Sequence, residues 1–110
     1  MDVEKSADTP GRFLVQINNK RMVNVVIMET MKNRLLNLVR RADCDYVRIY
    51  LSKVEYVANS AISMLLIVNK QAKTAGKHLI LANVSPQVYE QFSSRRFDKV
   101  FRIERSKAER

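Results

Sequence analysis

Apolar positions along this chain change their spacing several times, and each change marks an element. Phe13-Leu14-Val15-Gln16-Ile17 alternates with a period of two and predicts a strand. Asn18-Asn19-Lys20 is a turn, after which Met22 and Val23 are expected to pair back as a short second strand. From about Val26 the spacing becomes helical: Ile27, Met31, Leu35, Leu38 and Val39 recur on one side, with Met28 and Leu36 beside them. Lys32, Arg34, Arg40 and Arg41 fall mostly on the other side, and Ala42-Asp43-Cys44-Asp45 ends the helix.

Tyr46 to Leu51 is strongly β-prone, and Val54 and Tyr56 carry the apolar pattern to a small polar turn, Ala58-Asn59-Ser60-Ala61. A second helix starts near Ser60. Ile62, Leu65, Leu66 and Val68 face inward, Lys70 and Lys73 outward, and Gly76 is placed to end it. His78 to Ala82 is apolar after its first residue, as in strands covered on both faces. Ser85 and Pro86 read as N-cap and first residue of a short helix, and Lys99 to Ile103 alternates as a last strand. The order β-β-α-β-α-β-α-β predicts an α/β domain with a mixed sheet of four to five strands and helices packed on it. We expect a disordered lead over 1–11, the domain over 12–105 and a flexible basic tail over 106–110.

Composition narrows the class. The 110 residues make one domain, and 46% hydrophobic with 28% charged content is globular. The single cysteine, Cys44, excludes an internal disulfide and suits a reducing cytosol. No apolar run approaches the roughly 18 residues of a membrane span, and the first residues hold no signal-peptide apolar stretch. The expectation is a soluble cytoplasmic protein. The net charge of +9 allows nucleic acid, an anionic membrane surface or an acidic protein as partner. Yet Lys and Arg are spread through every element, the chain has no Trp, and no platform of aromatics interleaved with Arg is visible in the sequence. That argues against nucleic acid and for a solvated basic surface.

Catalysis has little to work with. The lone histidine, His78, begins a buried-looking strand without a nearby carboxylate and reads as structural or surface. Cys44 lies between Asp43 and Asp45, whose charges raise a thiol pKa, the wrong direction for a nucleophile. No glycine-rich phosphate loop or metal-ligand spacing is present. We expect no enzyme and no cofactor.

With the elements placed, the chain resembles the STAS family, the domain of anti-sigma factor antagonists of the SpoIIAA type. The resemblance rests on Leu51-Ser52-Lys53-Val54-Glu55-Tyr56-Val57, the small turn, Ile62-Ser63-Met64-Leu65-Leu66, Gly76-Lys77, and Val84-Ser85-Pro86-Gln87-Val88. These strings fit without a gap from Tyr56 to Pro86. Phe92, Phe97 and Phe101 fit the closing helix and strand, so the resemblance covers about residues 12–105. It implies a binding switch in partner-switching regulation of transcription. The unphosphorylated antagonist binds a GHKL-type anti-sigma kinase and frees a sigma factor. The kinase phosphorylates a serine in an Asp-Ser-[Ser/Ala]-Gly turn, and a PP2C-type phosphatase reverses the step.

This chain departs from that pattern at the turn. Ala58 stands at the Asp position, Asn59 at the phosphoserine, Ser60 at the next position and Ala61 at the Gly. Asn59 cannot accept phosphate. Three readings follow: a permanently unphosphorylated binder, Ser60 as acceptor after a one-residue shift in register, or a plain helix cap with docking elsewhere. The shift would misplace Ile62 against the family's apolar helix position. Arg21 and Asn24 replace the family's Gly and Asp before the first long helix, and Arg96 replaces a Gly after the third, so loop shape or backbone strain must differ there. In the family the two helix-start turns adjoin, which makes Arg21, Asn24, Ala58, Asn59, Ser60, Ala61 and Ser63 the expected docking residues. A second function implied by the resemblance is that of an accessory subunit in an ABC-type lipid transport complex.

Overall fold

The computed structural model describes residues 1–106. The elements are β1 (Asp2–Lys5), β2 (Arg12–Gln16), β3 (Arg21–Met22), α1 (Val25–Val39), β4 (Tyr46–Tyr50), β5 (Tyr56–Val57), α2 (Asn59–Thr74), β6 (His78–Val84), α3 (Pro86–Ser93), a 3-10 turn at Phe97–Lys99, and β7 (Arg102–Arg105). Five strands form one mixed sheet in the order β1-β2-β4-β6-β7, in which only β1 runs antiparallel to its neighbour. The expected α/β architecture with its mixed sheet is therefore what this sequence forms.

Alternation in β2 and β4 decides which side is covered. Phe13, Val15, Val47 and Ile49 point into the core, where they meet Leu35 and Val39 of α1, Leu65 and Val68 of α2, and Val88 and Phe92 of α3. Fully burying one such side chain contributes about 1.5–3 kcal/mol. The inward stripe of α1 is Met28, Met31, Leu35, Leu38 and Val39, whereas Ile27 is 40% exposed. β6 is buried on both faces from Leu79 to Ala82, as its composition predicts.

The opposite face of the sheet is closed by its own side chains. Arg48 donates to the Tyr46 and Tyr50 hydroxyls, both at 3.2 Å, and to Glu104 of β7. The Arg12 guanidinium lies 4.5 Å from the Tyr46 ring centroid and that of Arg48 5.5 Å from Tyr50. Aromatic residues interleaved with arginines are thus present, contrary to the reading of the sequence. Only the strand register brings Arg12 beside Tyr46, and each ring already carries an arginine of its own chain.

Other boundaries also change. Asp2–Lys5 is not a disordered lead but a strand laddered on β2 from Asp2↔Gln16 to Lys5↔Phe13. All four of its residues are exposed, so no apolar alternation advertises it. Arg21–Met22 does not pair back on the first strand; it pairs in parallel with Tyr56–Val57. The last strand starts at Arg102, because the 3-10 turn occupies Phe97–Lys99 and turns Phe101 into the core. Of the expected tail, Ser106 donates its N–H to Val84 O at 2.8 Å, and 107–110 lie outside the described residues.

Candidate functional site

Two short strands place the candidate surface. Met22 and Val57 are apolar, buried and directly paired, which anchors β3 beside β5 at the edge of the core. Lys20 O accepts the N–H groups of Glu55 at 2.7 Å and Tyr56 at 3.2 Å, and Met22 O accepts that of Ala58 at 3.0 Å. From α3, Gln91 completes the hold. Its Oε1 accepts the Val57 N–H at 2.9 Å and its Nε2 donates to the Val57 carbonyl at 2.8 Å. The chain entering α1 and the chain entering α2 are therefore tied side by side.

On the α1 side, Asn24 is the N-cap. Its Oδ1 accepts the Ile27 N–H at 3.0 Å, satisfying one of the free donors of the first turn. Arg21 is exposed, and its guanidinium lies 4.6 Å from the Tyr56 ring centroid, the residue opposite it in the ladder. Between and beyond them the first turn shows apolar side chains to solvent: Val25 is 67% and Val26 75% exposed, with Val23 and Ile27 at about 40%.

On the α2 side, Ala58 is the N-cap, with extended φ −76° and ψ 165° and no side-chain acceptor. Asn59 and Ser60 are the first and second helical residues, so the cap of this turn is Ala58 and neither of their side chains caps the helix. Ala58 O accepts the N–H groups of Ala61 at 3.0 Å and Ile62 at 3.1 Å. The N–H groups of Asn59 and Ser60 have no acceptor among the described residues. They sit at the positive end of the helix dipole, where an anion or a carbonyl is favoured. Asn59 is exposed. Ser60 is half-buried and, with exposed Ser63, lines a shallow groove between α1 and α2 shared with Val25, Met28, Met64 and Ile67. Ala61, expected on the docking surface, is wholly buried and instead packs beneath the turn.

The structure thus brings Arg21, Asn24, Ala58, Asn59, Ser60 and Ser63 to one end of the molecule and removes Ala61 from its surface. Sequence reasoning missed Gln91, whose role needs the packing of α3, and the valines of the first α1 turn. Their signal was present: Val23, Val25 and Val26 lie outside the inward stripe of the helix. The arrangement offers donors, amides and apolar contact, the chemistry of binding. Elsewhere, His78 is exposed, as read. The Cys44 thiol is pushed up, as read, but chiefly by burial, with Asp43 and Asp45 adding only smaller contributions.

The fold is shared with known structures. An anti-sigma-factor antagonist (STAS) domain protein from Planctomyces limnophilus is 22% identical with a TM-score of 0.76, over 96% of this chain and 90% of that one. The anti-sigma factor antagonist SpoIIAA in its unphosphorylated form is 13% identical with a TM-score of 0.66, over 90% of this chain and 96% of that one. A sulfate transporter family protein from Wolinella succinogenes is 16% identical with a TM-score of 0.70, over 88% and 79%. Comparison with curated proteins gave no significant sequence match. No helix among the described residues is long and apolar enough to cross a membrane. The family model for the STAS domain matches residues 8–110, and with the fold and its helix-start turns now in place, the chain belongs to the STAS domain family.

Proposed function

We propose that this chain is a non-catalytic regulatory binding module of the anti-sigma factor antagonist kind. It docks a GHKL-type anti-sigma kinase in a partner-switching pathway, through the surface built from the starts of α1 and α2. One observation carries the reading: Val25 and Val26, 67% and 75% exposed, stand beside an α2 N-terminus whose first two N–H groups have no acceptor among the described residues. Exposed apolar side chains next to free donors gain from a partner that supplies apolar area and carbonyl or carboxylate groups. The basic chain, at +9, favours an acidic partner face.

The phosphoacceptor is degenerate in this reading. Asn59 takes its place as an uncharged residue, so the module stays in the binding state. The direct experiment mixes the purified chain with each GHKL-fold kinase of the same genome, with and without ATP. A stable complex that ATP does not disperse, and an unchanged intact mass, are the expected results. A mass gain of one phosphate that disappears in Ser60→Ala would replace the permanently unphosphorylated reading with the shifted-register one, reversible by a PP2C-type phosphatase. No complex with any such kinase sinks the proposal.

A second reading carries over from the family resemblance alone, an accessory subunit of an ABC-type lipid transport complex; the transporter-family neighbour is a sulfate transporter family protein and shares the fold. Binding to an ATPase of that type in place of a kinase would select it.

A further inference from the structure

We propose that a cleft at the C-terminal end of α2 binds a small anion bearing phosphate groups. The inference is independent of the docking surface: α2 spans 16 residues, which puts its two ends about 24 Å apart. Lys73 from the last turn of α2, Lys77 just beyond it, Lys99 from the 3-10 turn and Arg102 from the start of β7 line this one cleft, with Asn69 and Phe101 in its wall. No carboxylate lines it. Among the described residues, none lies within the 4.0 Å of an ion pair from any of the four cationic groups.

Two of the cations are held in place by backbone carbonyls. Lys77 Nζ donates to Arg41 O at 2.8 Å and to Cys44 O, and Lys73 Nζ donates to Val100 O at 3.4 Å. An ammonium has three donors, so both retain at least one for a ligand. Lys99 and Arg102 are exposed and keep their full donor sets. The end of a helix ordinarily repels anions. Here the carbonyls of Gln71, Ala72 and Lys73 are already taken by the N–H groups of Ala75, Lys77 and Gly76, at 3.0, 2.8 and 3.1 Å. The turn that permits this is left-handed, with Gly76 at φ +74°.

Lys73, Lys99 and Arg102 line one concavity with no carboxylate, and Lys77, whose Nζ is held on the Arg41 and Cys44 carbonyls, adds its charge at the margin. Their mutual repulsion is relieved by an anion of at least two charges. An oxygen-rich, multiply charged group uses the spare ammonium donors and the guanidinium fork together. Phe101 is buried and the exposed His78 imidazole lines the cleft beside the cations, so charge is the feature that the cleft reads. A condensed phosphate free in solution and the phosphate of a lipid headgroup share this chemistry.

Calorimetric titration of the full chain with pyrophosphate, at physiological salt, is the first arm. Flotation with vesicles of phosphatidylcholine and phosphatidic acid is the second. Saturable binding is expected in at least one arm, weakened about tenfold or more in Lys99→Gln/Arg102→Gln. A control of equal net charge, Lys20→Gln/Lys53→Gln, should bind as the wild type does. Binding of pyrophosphate assigns a soluble ligand, and binding of vesicles alone assigns a headgroup. Amide shifts of the wild type on adding pyrophosphate, concentrated at Lys73, Lys77 and 99–102, read the same site without a variant. Equal weakening in both variants, or no binding in either arm, overturns the proposal.

Discussion

Gln91 holds Val57 by both of that residue's backbone groups, accepting from its N–H at 2.9 Å and donating to its carbonyl at 2.8 Å. One side chain of α3 thereby fixes the residue that precedes the α2 turn. Gln91→Leu leaves a partly buried donor and acceptor unpaired, at a cost of about 1–3 kcal/mol. Urea denaturation checks the stability, and faster amide exchange at Val57 and Ala58 checks the location. Unchanged exchange there would show that β3 and β5 position the turn unaided.

Ala58 has the backbone of an N-cap without the side chain of one. Ala58→Asp supplies an acceptor for the N–H groups of α2's first turn and a negative charge at the positive end of its dipole. A gain of about 0.5–2 kcal/mol is expected in thermal or urea unfolding. Combined with Asn59→Ser, the same change restores the family's Asp-Ser pair, and the double variant should gain one phosphate from the cognate kinase.

Arg96 adopts φ +63°, the left-handed region, where the family's usual glycine carries no penalty. Arg96→Gly removes that strain but loosens the unfolded chain, for a net gain of about 0.5–1 kcal/mol. Gly76 is the reciprocal case: an added Cβ meets nothing within 4 Å, so Gly76→Ala loses about 1 kcal/mol through φ +74° alone. Paired denaturation curves compare the two signs.

Burial raises the Cys44 thiol above its ordinary range. The folded state therefore holds the thiol proton more tightly than the unfolded chain does. Its contribution is complete below the unfolded thiol pKa of about 8.5 and is lost as pH climbs from there toward the raised folded value. Urea midpoints should fall above that pH in the wild type and fall less in Cys44→Ala. A thiol reagent should label native protein slowly and urea-unfolded protein fast.

Val26 is three-quarters exposed and stands outside the hydrophobic core. Val26→Lys should change stability by no more than about 0.5 kcal/mol, yet abolish capture of the proposed kinase partner. Unimpaired capture would move the docking surface away from the first turn of α1.

The strongly periodic elements were legible in the sequence: α1, α2, β2, β4 and the twice-buried β6 each bury a regular stripe. Apart from the exposed valines of the first α1 turn, what escaped had no local signal. β1 buries no face, and β3 and β5 are two residues each, so their pairing depends on contacts far along the chain. The interleaving of Arg12 with Tyr46 exists only across strands, and the cationic cleft gathers side chains from α2, the 3-10 turn and β7. At the candidate site, the turn and its asparagine could be read directly. The burial of Ala61 and the grip of Gln91 came from tertiary packing.

Strand β1 carries a further consequence. It is the outermost strand of the sheet beside β2, and such a border presents backbone donors and acceptors that another chain's strand can adopt. Asp2, Glu4 and Lys5 surround its one apolar residue, Val3, with charge, and all four are exposed. An incoming apolar strand would have to desolvate those groups to continue the ladder. Charge along this border disfavours fibre-like growth at the β1 edge of the sheet.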